Sequence, residues 1–378
     1  MHINELETPA LLVDLAVVQA NIERMANYCT QHGIDLRVHV TSHKSPVIAY
    51  KQVGAGACGI ACEKLSEAEA FADAGFCDIF IHGNIVGREK LNRLGRLIEG
   101  VSVRVAVDSW TIAAGISQVA KQVGKQISIL IKVELGDKIP HETVSLGKQL
   151  IDLPNVDLVG LMTFPSSPSD RLPLLATLRH FETAGISIPV VSGRTRNAFQ
   201  THEIPEITEL CAGPYVFFDL SHVDGGVCGI ENCALTVLTT VVSAPNAGRP
   251  ILDAGAKTLT MTSQTSPHPK GAGKEVKKFG VIKHCPDVFL DRLSEDRAHL
   301  NTGRFKVGEK VRVIPVNSHA TIRVNDTFAL VRGDRVLEVL PFVARGKMQK
   351  EFCRASGNSR SPLKPVSIVA IQNPPQLH

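Results

Sequence analysis

Aromatic side chains are scarce in this 378-residue sequence, at 5% with one Trp and three Tyr. A protein that stacks nucleic-acid bases needs exposed rings beside a basic stripe. Here the basic residues are dispersed and the net charge is only +4. The one basic cluster is Lys270, Lys274, Lys277, Lys278 and Lys283, in or just after the Gly/Ser/Pro-rich stretch from Ser263 to Gly280. It reads as a solvated loop, so no nucleic-acid partner is expected. No apolar run reaches the ~18–20 residues that cross a bilayer, which argues against a membrane partner. The start, Met1-His2-Ile3-Asn4-Glu5-Leu6-Glu7, is polar and acidic and lacks signal-peptide shape. The nine cysteines are odd in number and follow no disulfide framework. Reduced thiols and a cytoplasmic location are the expectation.

What the sequence does have is alternation. Between residues 30 and 220, short apolar runs alternate with amphipathic stretches. Leu36–Val40, Gly59–Ala61, Asp78–Ile81, Ser102–Val107, Ile127–Val133, Val156–Leu161, Ile188–Ser192 and Tyr215–Phe218 read as strands. Ser66–Ala74, Arg88–Ile98 and Asp170–Ala184 read as helices, the first opened by a capping box of Ser66 and Glu69. Eight nearly all-apolar strands joined by helices imply parallel pairing, and closure gives an α/β fold of the TIM-like (β/α)8 barrel type. After about residue 230 the pattern turns β-rich, over Ala234–Ser243, Pro250–Asp253, Lys310–Pro315, Thr327–Arg332 and Arg335–Leu340. Arg332-Gly333-Asp334-Arg335 has hairpin-turn composition. The expected organisation is an N-terminal strand and helix over 1–20 associated with the β domain, a barrel over 21–228, and a mostly β C-terminal domain over 229–378.

Barrel enzymes carry their chemistry at the C-terminal ends of the strands. The first such end is Leu36-Arg37-Val38-His39-Val40-Thr41-Ser42-His43-Lys44-Ser45-Pro46. Other informative stretches are Thr8-Pro9-Ala10-Leu11-Leu12-Val13-Asp14, Cys62-Glu63-Lys64-Leu65-Ser66-Glu67-Ala68-Glu69, His82-Gly83-Asn84-Ile85-Val86-Gly87 and Ile251-Leu252-Asp253-Ala254-Gly255-Ala256-Lys257. Together, over nearly the whole chain, they resemble the D-threonine aldolase and D-serine dehydratase family, pyridoxal-phosphate enzymes with an alanine-racemase-type barrel. That resemblance implies a barrel plus β domain, a homodimer, and lyase chemistry.

The resemblance also implies where the chemistry departs. The family's first strand ends in Arg-Pro-His-x-Lys-x-His-Lys, and the first lysine forms the Schiff base. Thr41 stands in that slot, and a hydroxyl cannot form an imine. The family's Gly-x-x-Arg-x-Gly becomes Gly136-Asp137-Lys138-Ile139-Pro140-His141. Its glycine-rich phosphate cradle becomes Ser192-Gly193-Arg194-Thr195-Arg196, and Pro214 removes an N–H that could bind phosphate. Its metal motif, His-x-Cys or His-x-Asp, becomes His319-Ala320-Thr321. Thr is a weak divalent ligand beside thiolate or carboxylate.

On these grounds pyridoxal phosphate is not expected as an internal aldimine, and a divalent metal is compatible with His319 and, more weakly, Thr321. Thr41, His39, His43 and His319 are the candidate catalytic residues, the histidines as acid/base groups or ligands. His39 and His43 alternate with Val40 and Ser42, which places both on one side of an extended chain. They read equally as packing groups. Arg194 and Arg196, with Thr195, Tyr215 and Lys44, are candidates to hold a small anionic substrate. Lys44, three positions past Thr41, reads as a surface or supporting lysine. Glu63, Asp108 and Glu134 are possible bases at strand ends, and Cys58 and Cys62 read as buried thiols. The expected activity is a lyase acting on a small hydroxy or amino acid without an internal aldimine. The alternatives are a pyridoxal-phosphate enzyme with its lysine displaced to Lys44, and a non-catalytic barrel that binds a small anion.

Overall fold

A computed structural model describes residues 1–135, 140–165, 167–195, 197–245, 249–267 and 275–346. Arg196, Gly136-Asp137-Lys138-Ile139, Lys270 and Lys274 therefore lie outside the described residues. Strand β1 (Ala10–Asp14) leads into helix α1 (Leu15–His32), whose first turn is capped by the Asp14 carboxylate accepting from Ala16 N–H at 3.1 Å. Then follow β2 (Asp35–His39), α2 (Pro46–Gly54), β3 (Gly59–Cys62), α3 (Leu65–Asp73), β4 (Asp78–Ile81), α4 (Arg88–Gly100), β5 (Ser102–Val107), α5 (Trp110–Gln122), β6 (Ile127–Val133), α6 (Pro140–Ile151), β7 (Val156–Thr163), α7 (Arg171–Thr183), β8 (Val190–Gly193) and β9 (Glu209–Ala212). Strands β2 to β9 pair in parallel and close into an eight-stranded barrel.

Three sequence expectations change here. The eighth barrel strand is β9, not Tyr215–Phe218. Pro214 lacks the N–H a ladder needs, and Pro214–Val216 coils into a single 3-10 turn instead. The Ser66/Glu69 capping box does not form, because α3 starts one residue earlier at Leu65. Glu69 instead receives the Arg93 Nε at 2.8 Å from the neighbouring helix. Cys62 is buried as expected, but Cys58 is exposed at the entrance to β3.

The β domain follows a short helix, α8 (Leu220–Asp224). It comprises β10 (Leu235–Ser243), β11 (Ile251–Leu252), α9 (Ala256–Leu259), β12 (Gln264–Pro267), β13 (Glu275–Lys278), β14 (Gly280–Ile282), β15 (Cys285–Leu293), β16 (Ala298–Leu300), β17 (Lys310–Pro315), α10 (Ser318–Arg323), β18 (Thr327–Arg332) and β19 (Arg335–Pro341). Its nine-stranded sheet runs β11-β16-β15-β14-β17-β10-β1-β18-β19. The N-terminal strand is thus built into the C-terminal domain, antiparallel to β10 and parallel to β18. Lys277 and Lys278 belong to the β12–β13 hairpin, and Lys283 reaches toward Asp14 at 4.0 Å, so this basic group is not one solvated loop. No helix among the described residues is long and apolar enough to cross a membrane.

The barrel interior is layered. At the N-terminal end Arg37 donates to Glu209 (2.8 Å) and Asp78 (2.7 Å), while Arg104 (3.1 Å) and Ser192 (2.9 Å) also reach Glu209. Above this polar floor Ala61, Phe80, Ala106, Leu130, Met162 and Cys211 form an apolar plug. In parallel strands every second residue faces inward, so the next inward positions emerge at the C-terminal mouth.

Candidate active site

Two residues beyond the plug along their strands stand Glu63, His82, Asp108 and Lys132. They join His39, the last residue of β2. The His39 and His82 rings lie 4.9 Å apart, and His82 also meets the Phe80 ring edge at 4.5 Å. Ligand atoms of His39, Glu63 and His82 all fall within 4.8 Å of one another. Neither His39 ring nitrogen has a hydrogen-bond partner, and His82 Nδ1 has none. His82 Nε2 meets Cys211 Sγ at 3.3 Å. Burial pushes His39 well below the usual imidazole range, helped by His82 and Arg194. Burial and then Arg194 push His82 down to about 3. Both rings are neutral, with lone pairs available. Beside them Lys132 Nζ donates to Asn84 at 2.7 Å, and Asn84 donates to Asp108 at 2.6 Å.

After His39 the strand does not continue. Val40–Ser42 forms one 3-10 turn, and Lys44 has φ +52°. This turn breaks the alternation expected for His39 and His43. His43 is fully buried and packs edge-on against Phe217, and its Nδ1 accepts from Ser45 N–H at 3.2 Å. It is a packing and turn-fixing group rather than a partner of His39. Lys44 is not a surface residue. It is 7% exposed and ion-paired with the equally buried Glu67. Glu67 also accepts from the Thr41 hydroxyl at 2.7 Å and from Glu63 N–H at 3.2 Å, and Thr41 accepts from Glu63 N–H at 3.1 Å.

Arg194 follows β8, its backbone N–H held by Thr163 O at 3.1 Å. Among the described residues no carboxylate pairs with its guanidinium. It lines a cavity of about 300 Å³ with Phe164, Thr195, Tyr215, Phe218 and His222. Tyr215 is buried, and its hydroxyl accepts from Gln52 Nε2 at 2.8 Å, which leaves its own O–H to donate. Thr195 Oγ1 faces Thr201 Oγ1 at 3.4 Å.

His319 arrives from the β domain on α10. Asp219, from the barrel, accepts from Ser318 N–H (2.8 Å) and its hydroxyl (3.1 Å), and Asn317 caps the helix through Ala320 N–H at 2.7 Å. These bonds fix the helix. His319 Nε2 has no partner, and burial, Arg323 and Lys44 push its pKa down to about 4. Arg194 and Lys44 each bear electrostatically on His319 and on His39, so the domains converge on one mouth. Thr321 does not join it. Its hydroxyl donates to Asn317 O at 2.9 Å, with Leu259 O at 3.5 Å.

Positions that depart from the family pattern have other partners here. The Thr41 hydroxyl is held by Glu67 and Glu63, Lys44 is engaged by Glu67, and Pro214 offers no phosphate donor. The family's His-x-Cys or His-x-Asp metal pair is broken by Thr321. Glu67 and the His39–Glu63–His82 grouping were missed in the sequence, although the two-residue step beyond each inward plug residue marks Glu63, His82, Asp108 and Lys132.

The family described as "Alanine racemase, N-terminal domain" matches residues 13–207, and a "Putative serine dehydratase domain" matches residues 234–331. The chain is 30% identical to D-threonine aldolase of Arthrobacter sp, over 90% of this chain and 93% of the aldolase. It is 29% identical to 3-hydroxy-D-aspartate aldolase of Paracoccus denitrificans (strain Pd 1222), over 92% of this chain and 94% of that protein. The crystal structure of D-threonine aldolase from Filomicrobium marinum superposes with a TM-score of 0.79 at 26% identity, covering 92% of this chain and 98% of that one.

Proposed function

This chain belongs to the alanine racemase N-terminal domain family, with D-threonine aldolase among its relatives, and on that premise we propose that it is a lyase cleaving a small anionic β-hydroxy acid or β-hydroxy amino acid without a lysine-bound pyridoxal. The observation that carries the reading is Arg194, a cavity-lining guanidinium without a carboxylate partner, whose charge bears on the buried imidazoles of His39, His82 and His319, each with an unpartnered nitrogen. Arg194 binds the substrate carboxylate. His319 Nε2, neutral at working pH, takes the proton of the β-hydroxyl. The Cα–Cβ bond breaks, the hydroxyl carbon leaves as an aldehyde, and the electron pair left on Cα takes the proton back from His319. The guanidinium offsets the negative charge that spreads into the carboxylate. A homodimer and a cytoplasmic setting remain part of this proposal.

A second reading keeps pyridoxal phosphate and moves its attachment to Lys44. The observation favouring it is that Lys44 turns inward to the carboxylate that also holds Thr41. The test is aldehyde release from D-threonine, 3-hydroxy-D-aspartate and their deamino analogues, with and without borohydride pretreatment. The proposal expects release that resists borohydride, persists in Lys44→Met, and disappears in His319→Ala with unchanged circular dichroism. A visible band bleached by borohydride, with an adduct on Lys44, establishes the second reading. Tight binding of these acids with no aldehyde leaves a non-catalytic anion-binding barrel.

A further inference from the structure

We propose that His39, Glu63 and His82 form a divalent transition-metal site in the barrel mouth, apart from the His319 position that the family resemblance suggests. The three side chains come from the ends of β2, β3 and β4, three adjacent strands of a closed barrel. Two imidazoles and a carboxylate with positions left open suit zinc, iron or cobalt. Ligands about 2.1 Å from one ion stand roughly 3–3.5 Å apart. The observed separations, within 4.8 Å, close to that spacing by side-chain rotation.

The second observation is independent of the grouping. His39 is 2% exposed with both ring nitrogens unpartnered, and His82 is 2% exposed with Nδ1 unpartnered. Buried polar atoms are normally satisfied, so several such nitrogens converging on one carboxylate point to an absent partner. An imidazole carries a lone pair on one ring nitrogen, so an electron-pair acceptor such as a metal ion suits a place where two such rings meet a carboxylate. Arg194 and Lys132 oppose a cation here. Glu63, Asp108 and Glu67 offset them, and Lys132 and Lys44 are already tied to Asn84 and Glu67. Glu63 itself is exposed, so the open positions face the mouth.

Such an ion deepens the lyase reading, and its catalytic role rests on that reading. It would polarise the substrate oxygen and stabilise the charge that cleavage places on Cα, a role Thr41 cannot fill. The site itself does not depend on that reading and is tested without substrate. The full-length protein is stripped with a chelator and titrated with Co(II), reading visible ligand-field bands and calorimetric stoichiometry. One equivalent is expected, with the bands retained in His319→Ala. His82→Asn and Glu63→Gln should each weaken binding at least tenfold. Glu63 is exposed, so its variant keeps the test informative if His82→Asn fails to fold. The proposal is overturned by the absence of a stoichiometric Co(II) complex, or by binding in Glu63→Gln equal to the parent. It is equally overturned if His319→Ala loses the ion while Glu63→Gln and His82→Asn keep it.

Discussion

Removing the charge of Glu67 should be among the more damaging single changes in this barrel. Its carboxylate gathers three donors: Lys44 Nζ, the Thr41 hydroxyl at 2.7 Å and Glu63 N–H at 3.2 Å. Glu67 is 4% exposed and Lys44 7%, so water cannot replace a lost partner. Glu67→Gln leaves a buried ammonium without its counter-ion, which costs about 3–5 kcal/mol. Lys44→Met leaves the carboxylate with two of its donors, so its cost should be smaller, about 1.5–3 kcal/mol for one charged hydrogen bond. Replacing both together, as Lys44→Met with Glu67→Gln, removes the desolvation of both ions and should recover most of the loss. Urea unfolding of the three variants completes a double-mutant cycle, with an expected coupling of several kcal/mol. If Glu67→Gln unfolds within about 1 kcal/mol of the parent, the pair is not the buried, dry contact described above. The same conclusion follows if the double variant loses the full sum of the single losses.

Two further outcomes follow from the same mouth. Arg194→Ala should weaken binding of a small carboxylate such as 3-hydroxyaspartate by about 2–5 kcal/mol, the range for an unpaired partner at a desolvated charge contact; isothermal titration showing parent-like affinity would remove Arg194 from the site. His43 is held down to about 3 by burial and then by Lys44, while in the unfolded chain it titrates near 6.5. Between those values only the unfolded chain binds this proton, so His43 lowers stability as pH falls below about 6.5, by about 2 kcal/mol at pH 5. His43→Gln should therefore flatten the pH dependence of the urea midpoint between pH 6.5 and 5, and an unchanged slope would contradict the burial assigned to this ring.

The barrel was legible because its strands are locally written. Asp78–Ile81, Ser102–Val107 and Ile127–Val133 are mostly apolar runs whose bounds match the structure. The error at the eighth strand has a local cause too. Tyr215–Phe218 is the more aromatic run, and Pro214 beside it decides for a turn, leaving Glu209–Ala212 to close the barrel. The site was less legible because it is assembled at long range. His39 and His82 are 43 positions apart, and nothing near either one announces the other. The one signal available was parity. Counting two residues on from each inward plug residue gives Glu63, His82, Asp108 and Lys132, but the plug must be known first. His43 shows the converse failure, since alternation along Val40–His43 holds only for extended chain and the 3-10 turn at Val40–Ser42 cancels it.

Thr41 then has a positive role rather than a missing one. In the slot where the resembling family places an imine-forming lysine, its hydroxyl donates to Glu67 and accepts from Glu63 N–H, tying the end of β2 to the junction of β3 and α3. A lysine at 41 would bring a second ammonium to a carboxylate already occupied by Lys44, in a place where neither could be hydrated. The Lys44–Glu67 pair and Thr41 therefore stand or fall as a unit. The family's motif carries a lysine at both positions, so Lys44 by itself does not bar the family chemistry; Thr41→Lys loses the hydroxyl that joins Glu67 to Glu63 N–H and should lower the urea midpoint.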